Sequence, residues 1–376
     1  MKRFVFLILS ICLCLTFSLS GCSCTGDSIL EFNSTNVKSI QSERLTYSVT
    51  LEQNYKDIKR ASGFNLNLLP EYKNGLYVAE YQTGVSCDNN QINLSSSESV
   101  INLITTNLTI DVVDTKGTAD TSDDVTYKDQ ILSEVYFYDS TWSYAPIYSK
   151  TTVKNTYVAN DETRIEFSHK IYQYTTTYKK SSFTTVKKYY AEADGEDITG
   201  ALDLTKLDQD KFVTIKGNGG GGTAEYDFRH VIDNVQLMFA IRNLSISKGS
   251  SLLLPTVTYM YSNPCKLQIS NSSVSTFNFE TELNYARPNY TNVYAEDTLT
   301  MPVKNMRIML AETDYSGLPK YLVLQNDSAD NTNDNPNIKN NNLIVEYAEP
   351  VISNSSYDCL GALVYRLNGV NLTYSN

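Results

Sequence analysis

Alternating apolar and polar residues run through most of this chain. The clearest case is residues 164–174, where Ile165, Phe167, His169 and Ile171 share one face and the residues between them are polar or charged. Side chains of a β-strand point alternately to its two faces, so this pattern predicts a half-buried strand. Similar alternation predicts further strands over residues 45–51, 76–81, 101–113, 183–190, 252–261, 304–310, 320–324, 343–347 and 360–367.

One segment instead shows helical spacing, Asp233 to Asn243. Asp233 can cap a helix, and Gln236 stands three residues later, as a capping box requires. The apolar stripe of this segment is typical of a helix that packs on a sheet. It is formed by Leu237, Met238, Ile241 and Leu244.

Several stretches interrupt the strand pattern and are expected to be turns or loops. Lys73-Asn74-Gly75 predicts a turn, and residues 55–64 predict a short helix or an irregular crossing. Pro146 predicts a strand edge or a break. Residues 217–222 are Gly-rich but lack the Gly-Lys-Ser/Thr ending of a phosphate loop, so they predict a flexible hairpin tip.

These elements together predict a mainly β protein with a minor α component. We expect a curved antiparallel sheet, or half-barrel, that packs one short helix near residues 233–244. A β-sandwich remains the alternative fold. No polar break after residue 45 is long enough to require a second domain, so residues 44–376 are expected to form a single β-rich domain.

The N-terminal residues have a different pattern. Lys2 and Arg3 precede an apolar run from Phe4 to Phe17, which is shorter than the roughly 20 residues of a membrane-spanning helix. This pattern is typical of a secretory signal peptide. The run ends at Leu19-Ser20-Gly21-Cys22, which resembles the lipobox of bacterial lipoproteins. An ordinary signal peptide with a chance cysteine nearby is the alternative.

The lipobox resemblance implies a specific chemistry at Cys22. Its thiol would receive a diacylglycerol, and the peptidase would recognise Leu19, Ser20 and Gly21 and cleave after Gly21. Residues 1–21 would then be a signal peptide and residues 22–43 a polar tether. The resemblance implies an extracytoplasmic protein that is lipid-anchored to the bacterial cell membrane, since two acyl chains anchor a protein stably.

Charge narrows the range of partners. The chain has 42 acidic and 31 basic residues and a formal net charge of −11. An acidic surface repels nucleic acid and anionic headgroups. We therefore expect no nucleic-acid partner, and the lipid on Cys22 would provide the contact with the membrane.

A second resemblance concerns residues 131–350, where strands flank the helical segment Asp-Asn-Val-Gln-Leu-Met-Phe-Ala-Ile-Arg-Asn-Leu. This order resembles the curved half-barrel of secreted bacterial proteins related in shape to lipoprotein carriers. The resemblance implies a bent sheet that wraps a helix, and some members of that group hold lipid in the concavity. A hydrophobic, peptide or glycan ligand would fit such a protein.

Residues suited to catalysis or cofactor binding are scarce. Only His169 and His230 could serve a catalytic triad or a histidine metal site, and we expect no cofactor. A pair of carboxylates could still hydrolyse glycosides, with Glu134, Glu166 and Glu192 on or near predicted strands. A cell-envelope hydrolase is therefore one alternative function.

Residues 114–124 are rich in carboxylates and lie between Val113 and Val125, which predicts a hairpin loop. They could bind calcium, although Lys116 occupies a position where an EF-hand needs an oxygen ligand. A solvated acidic turn is the favoured interpretation. The candidate calcium ligands are Asp114, Asp120, Asp123 and Asp124.

Tyrosines and cysteines give two further hypotheses. Exposed tyrosine rings could stack on sugars, so a carbohydrate-binding surface lipoprotein is the other alternative function; cross-strand packing is the simpler explanation. Cys87, Cys265 and Cys359 could form one disulfide, with the pairing open. The tyrosines concerned are Tyr136, Tyr138, Tyr144, Tyr148, Tyr172, Tyr174, Tyr178, Tyr189 and Tyr190. The favoured function is a non-enzymatic, membrane-anchored lipoprotein with a ligand-binding or structural role.

Overall fold

The structure is a computed structural model that describes fourteen stretches of the chain. These are residues 40–62, 69–85, 100–139, 144–161, 164–179, 182–190, 207–218, 231–243, 251–258, 265–287, 290–310, 318–325, 343–352 and 359–374. The predicted signal peptide, the predicted lipobox and most of the predicted tether lie outside them, as do Cys87, Glu192, His230 and Leu244.

The described residues form seventeen strands, one 3₁₀ turn and one α-helix. The strands are β1 Ile40–Glu52, β2 Asn54–Tyr55, β3 Ile58–Lys59, β4 Glu71–Thr83, β5 Val100–Asp114, β6 Val125–Asp139, β7 Pro146–Asp161, β8 Arg164–Lys179, β9 Ser182–Tyr190, β10 Leu207–Asn218, β11 Ile232–Asp233, β12 Ser251–Val257, β13 Cys265–Arg287, β14 Tyr290–Leu310, β15 Tyr321–Gln325, β16 Ile344–Ile352 and β17 Cys359–Tyr374. The 3₁₀ turn spans Asn234–Gln236, and helix α1 spans Leu237–Arg242.

Fifteen strands belong to one sheet, in the order β10-β9-β8-β7-β6-β5-β4-β1-β17-β16-β15-β14-β13-β12-β11. Neighbours are antiparallel except β11 with β12, and β17 also pairs in parallel with β13. The sheet is not closed, and it is curved around one short helix. This confirms the predicted fold class and disfavours two stacked sheets of a sandwich.

Strand β1 lies in the interior of this sheet and is hydrogen-bonded on both sides. It pairs with β4 along Ser42 to Val49, and with β17 along Ile40 to Glu52. β1 begins at Ile40, so residues 40–43 belong to this strand. The side chains of Leu45, Tyr47 and Val49 alternate into the core, which holds the strand in register.

Helix α1 packs on the concave face of the sheet. Leu237, Ala240 and Ile241 are buried in one cluster with side chains from both halves of the sheet, including Ile104 of β5 and Leu267 of β13. The predicted apolar stripe is confirmed for Leu237 and Ile241. No helix among the described residues is long and apolar enough to cross a membrane.

Two local predictions were wrong. Residues 73–75 lie inside β4, where the register with β5 shifts between Lys73 and Leu76 and Asn74 has φ 52°. This is a β-bulge rather than a turn, and a Cβ on Gly75 would lie 2.2 Å from the Val49 carbonyl oxygen. Residues 54–59 form the small hairpin β2–β3, so of the two alternatives predicted for residues 55–64 the short helix is wrong.

Other local predictions agree with the structure. Residues 114–124 connect the paired strands β5 and β6, and β8 and β9 contain the strands predicted over residues 164–174 and 183–190. Pro146 stands at the first position of β7, where a missing N–H costs least. Gly217 and Asn218 end β10, and the remaining glycines of that run lie outside the described residues.

Candidate functional site

A narrow groove lies on the concave face between helix α1 and strands β1, β4, β5 and β16. It is shallow, with about 40 Å³ of space for the centres of water-sized molecules, and part of it is open to solvent. The helix side is formed by Val235, Met238 and Phe239, and the sheet side includes Ala79, Tyr81 and Ile104. Such a mostly apolar lining suits the hydrophobic portion of a ligand.

Phe239 is the main aromatic contact between the helix and the sheet. Its ring stacks on Tyr81 with centroids 4.5 Å apart and an interplanar angle of 20°. It also lies 5.7 Å from the rings of both Phe137 and Tyr144. These contacts fix the position of the helix and therefore the width of the groove.

A buried ion pair forms the charged part of the lining. Arg242 donates from Nη2 to Glu43 Oε2 at 2.8 Å and from Nη1 to Glu43 Oε1, and the two side chains are only 3% and 5% exposed. This two-point geometry satisfies both carboxylate oxygens. The groove therefore carries a matched pair of charges beside its apolar wall.

Four tyrosines extend the concave face next to the groove. The rings of Tyr347 and Tyr365 stack at 4.0 Å, and Tyr77 meets both of them edge-on. Tyr47 contacts Tyr77 and Tyr347 and donates from its hydroxyl to the Ile344 carbonyl at 3.0 Å. Burial raises the pKa of three of the four, Tyr47, Tyr77 and Tyr347. These three hydroxyls therefore stay neutral and can donate hydrogen bonds.

Glu349 lies at the end of this tyrosine cluster. It accepts a hydrogen bond from the Tyr365 hydroxyl at 2.5 Å. Burial raises the pKa of Glu349 from its ordinary value of 4.5 to about 7. Its carboxyl group therefore titrates near neutral pH, within a mostly aromatic environment.

The other end of the helix segment is held by Asp233. Its Oδ1 accepts from the Val235 amide at 2.8 Å, and Gln236 Oε1 accepts from the Asp233 amide at 3.3 Å. This confirms the predicted capping box. Asp233 Oδ2 also accepts from the Tyr178 hydroxyl, and burial raises the pKa of Asp233.

Comparisons with known proteins give no further guide. No family model, no curated protein and no solved structure matches this chain. Both resemblances noted in the sequence therefore remain predictions.

Three carboxylates of the acidic loop at residues 114–124 contact groups of the same loop. Asp114 accepts from the Lys116 amide at 2.9 Å and pairs with the Lys116 ammonium, and Asp120 accepts from the Ser122 amide at 2.9 Å. Both oxygens of Asp123 lie near the Thr118 hydroxyl, at 3.0 and 3.2 Å. In the part of the chain that the structure describes, no group of three or more His, Cys, Asp or Glu residues could hold a metal ion.

The tyrosines of β6 to β9 pack against the sheet. Tyr144, Tyr148, Tyr172 and Tyr174 are buried, and the side chains of Tyr189 and Tyr190 are not described. The remaining three, Tyr136, Tyr138 and Tyr178, are half-buried. None of the described seven is an exposed ring of the kind that stacks on a sugar.

The other catalytic and redox candidates are dispersed. Glu134 faces Lys150 on the neighbouring strand at 4.0 Å, while Glu166 and His169 lie on β8 opposite Ala159 and Thr156. Cys265 begins β13, and Cys359 Sγ lies 3.4 Å from the Gly361 carbonyl oxygen. The side chain of Cys265 and all of Cys87 are outside the description, so the disulfide pairing stays open.

Sequence reasoning missed Glu43, Arg242 and Glu349. A signal existed for Glu43, which occupies the same alternating face as Leu45 and Tyr47 and is therefore a charge at a core position. Arg242 directly follows the apolar stripe of the helix. A charged residue at such a position indicates a buried partner, although the pattern cannot say which one.

Proposed function

We propose that this protein is a membrane-anchored, non-enzymatic lipoprotein of the bacterial cell envelope that holds an apolar ligand on the concave face of its sheet. The groove between α1 and the strands is the observation that carries the proposal. Its lining is predominantly apolar and aromatic, and it has an open side through which a ligand could enter.

The charges near the groove favour binding over catalysis. Both oxygens of Glu43 accept from Arg242, and Glu349 accepts from Tyr365. A hydrolase of the two-carboxylate type needs a pair of acids facing each other across a cleft. The acids of this face are instead engaged by a guanidinium and by a phenol.

The anchor supports the same proposal from the sequence. Leu19-Ser20-Gly21-Cys22 would place a diacylglycerol on Cys22, only 18 residues before β1. Eighteen residues span at most about 65 Å even when fully extended. The groove would then remain close to the membrane, where apolar molecules are concentrated.

Filling the groove tests the proposal. Ala79 lines it from β4, so Ala79→Trp would occupy the ligand's space, and Ala79→Leu would fill it less severely. Leu76 lies on the same strand but is 41% exposed, so Leu76→Trp is the matched control. Methyl laurate is the probe, and native mass spectrometry of the full-length protein released from detergent micelles counts the bound molecules.

We expect methyl laurate adducts on the unmodified protein and on Leu76→Trp, and a loss of about tenfold or more in occupancy for the Ala79 variants. Circular dichroism confirms that each variant is folded. Equal occupancy in all four proteins, or no adduct on any of them, would contradict the groove as the binding site.

A further inference from the structure

Asn102 on β5 is a buried polar side chain with nothing to bind. Its exposed fraction is 0%, and neither Oδ1 nor Nδ2 has a hydrogen-bond partner. A buried amide without partners is costly, and native proteins rarely contain one. Asn102 therefore points to a hydrogen-bonding molecule that occupies this position in the working protein.

The position of Asn102 relates it to the groove. Ile104, which lines the groove, is two residues further along β5, so both side chains point to the concave face about 7 Å apart. The cross-strand neighbour of Asn102 is Phe137, whose ring lies 5.7 Å from that of Phe239. Asn102 therefore lies next to the residues that line the groove, on the same face of β5.

A second incomplete amide lies on the helix side. Asn243 immediately follows Arg242 and is 2% exposed. Its Nδ2 donates to the Phe239 carbonyl at 2.9 Å, but its Oδ1 has no donor. Two buried amide oxygens therefore lack donors, which favours a ligand group that can donate hydrogen bonds.

The charges nearby argue against an anionic group. The positive charge of Arg242 is already matched by Glu43 through two hydrogen bonds. An anion would have to displace Glu43, which would leave that carboxylate buried and unpaired. An uncharged headgroup avoids this cost.

We propose that the ligand is a neutral amphiphile: an apolar chain lies in the groove, and a hydroxyl or amide headgroup hydrogen-bonds to the side chain of Asn102. This inference rests on the proposed function, since it assigns the chemical class of ligand held by the same groove. Asn102 therefore distinguishes a lipid whose headgroup donates a hydrogen bond from a lipid whose headgroup has no donor.

Competition between two uncharged lipids of equal chain length tests the assignment. Monolauroylglycerol carries two hydroxyl donors, whereas methyl laurate carries none. The full-length protein is incubated with an equimolar mixture, and native mass spectrometry from detergent micelles resolves the two adducts by mass. The variants are Asn102→Leu and, as a matched control, Asn107→Leu, which makes the same change on the opposite face of β5 at another amide with a partnerless oxygen.

The unmodified protein and Asn107→Leu should prefer monolauroylglycerol by about tenfold, the effect of one hydrogen bond to a buried group. Asn102→Leu should bind both lipids about equally and be at least as stable, because it removes an unpaired amide. A preference that survives in Asn102→Leu, or no preference in the unmodified protein, would overturn this inference alone. No adduct of either lipid would overturn the groove proposal as well.

Discussion

Arg242 of helix α1 and Glu43 of β1 form a two-point ion pair although they are 199 residues apart in the chain. The pair joins the only described α-helix to the strand at the centre of the sheet. Like the Phe239–Tyr81 stack, the ion pair joins the helix to the sheet, and it fixes the end of the helix next to the groove.

Removal of one partner from this ion pair should be costly. Arg242→Met alone leaves the Glu43 carboxylate buried without its cation, and we expect a loss of about 3–5 kcal/mol in the free energy of unfolding. The double variant Glu43→Leu/Arg242→Met should recover most of that loss, because no charge remains buried. Urea unfolding measures both. A single variant as stable as the unmodified protein would contradict the buried pairing.

Stability should fall as pH rises through the titration of Glu349. Burial raises the pKa of Glu349 from 4.5 to about 7, so the folded protein binds this proton more tightly than the unfolded chain does. The stabilisation is complete below pH 4.5 and is lost by about pH 7, at up to about 1.4 kcal/mol per pH unit.

The matched variant for this prediction is Glu349→Gln, which keeps an acceptor for the Tyr365 hydroxyl. Urea unfolding at pH 5 and pH 8 should show a smaller pH dependence in this variant. Some dependence will remain, because burial raises the pKa of Asp233 in the same direction. Equal pH dependence in both proteins would exclude Glu349 as its source.

Loss of the helix cap should weaken the helix segment. Asp233→Ala removes the acceptor of the Val235 amide and of the Tyr178 hydroxyl, which should cost about 1–3 kcal/mol in the free energy of unfolding. Asp233→Asn keeps the capping oxygen and should retain more than half of that stability. Thermal and urea unfolding provide the comparison, and an alanine variant as stable as the asparagine variant would argue against the cap.

The proposed lipid anchor is tested at Cys22. Cys22→Ser removes the thiol that would accept the diacylglycerol, so the protein should no longer incorporate labelled palmitate during expression in bacteria. It should also keep its uncleaved signal peptide, which gel mobility detects. Cys24→Ser is the control and should behave like the unmodified protein. Unchanged labelling of Cys22→Ser would refute the lipobox interpretation.

The sequence predicted the elements better than it predicted their contacts. Alternation identified β8 and β9, and the Asp233–Gln236 pair identified the start of the helix, because those signals are local. Lys73-Asn74-Gly75 misled, since a bulge and a turn use the same residue types. Which strands become neighbours cannot be predicted from a local pattern. The ion pair of Glu43 with Arg242 and the lack of a partner for Asn102 both depend on that arrangement.

The pairing of β1 with β17 also determines when this protein can fold. More than 300 residues separate strands that must hydrogen-bond to each other, so β1 keeps an unpaired edge until β17 has been synthesised. Contacts of such long sequence separation make folding slow, and an exposed strand edge invites aggregation. The chain therefore exposes an aggregation-prone strand edge until β17 pairs with β1 and completes the centre of the sheet.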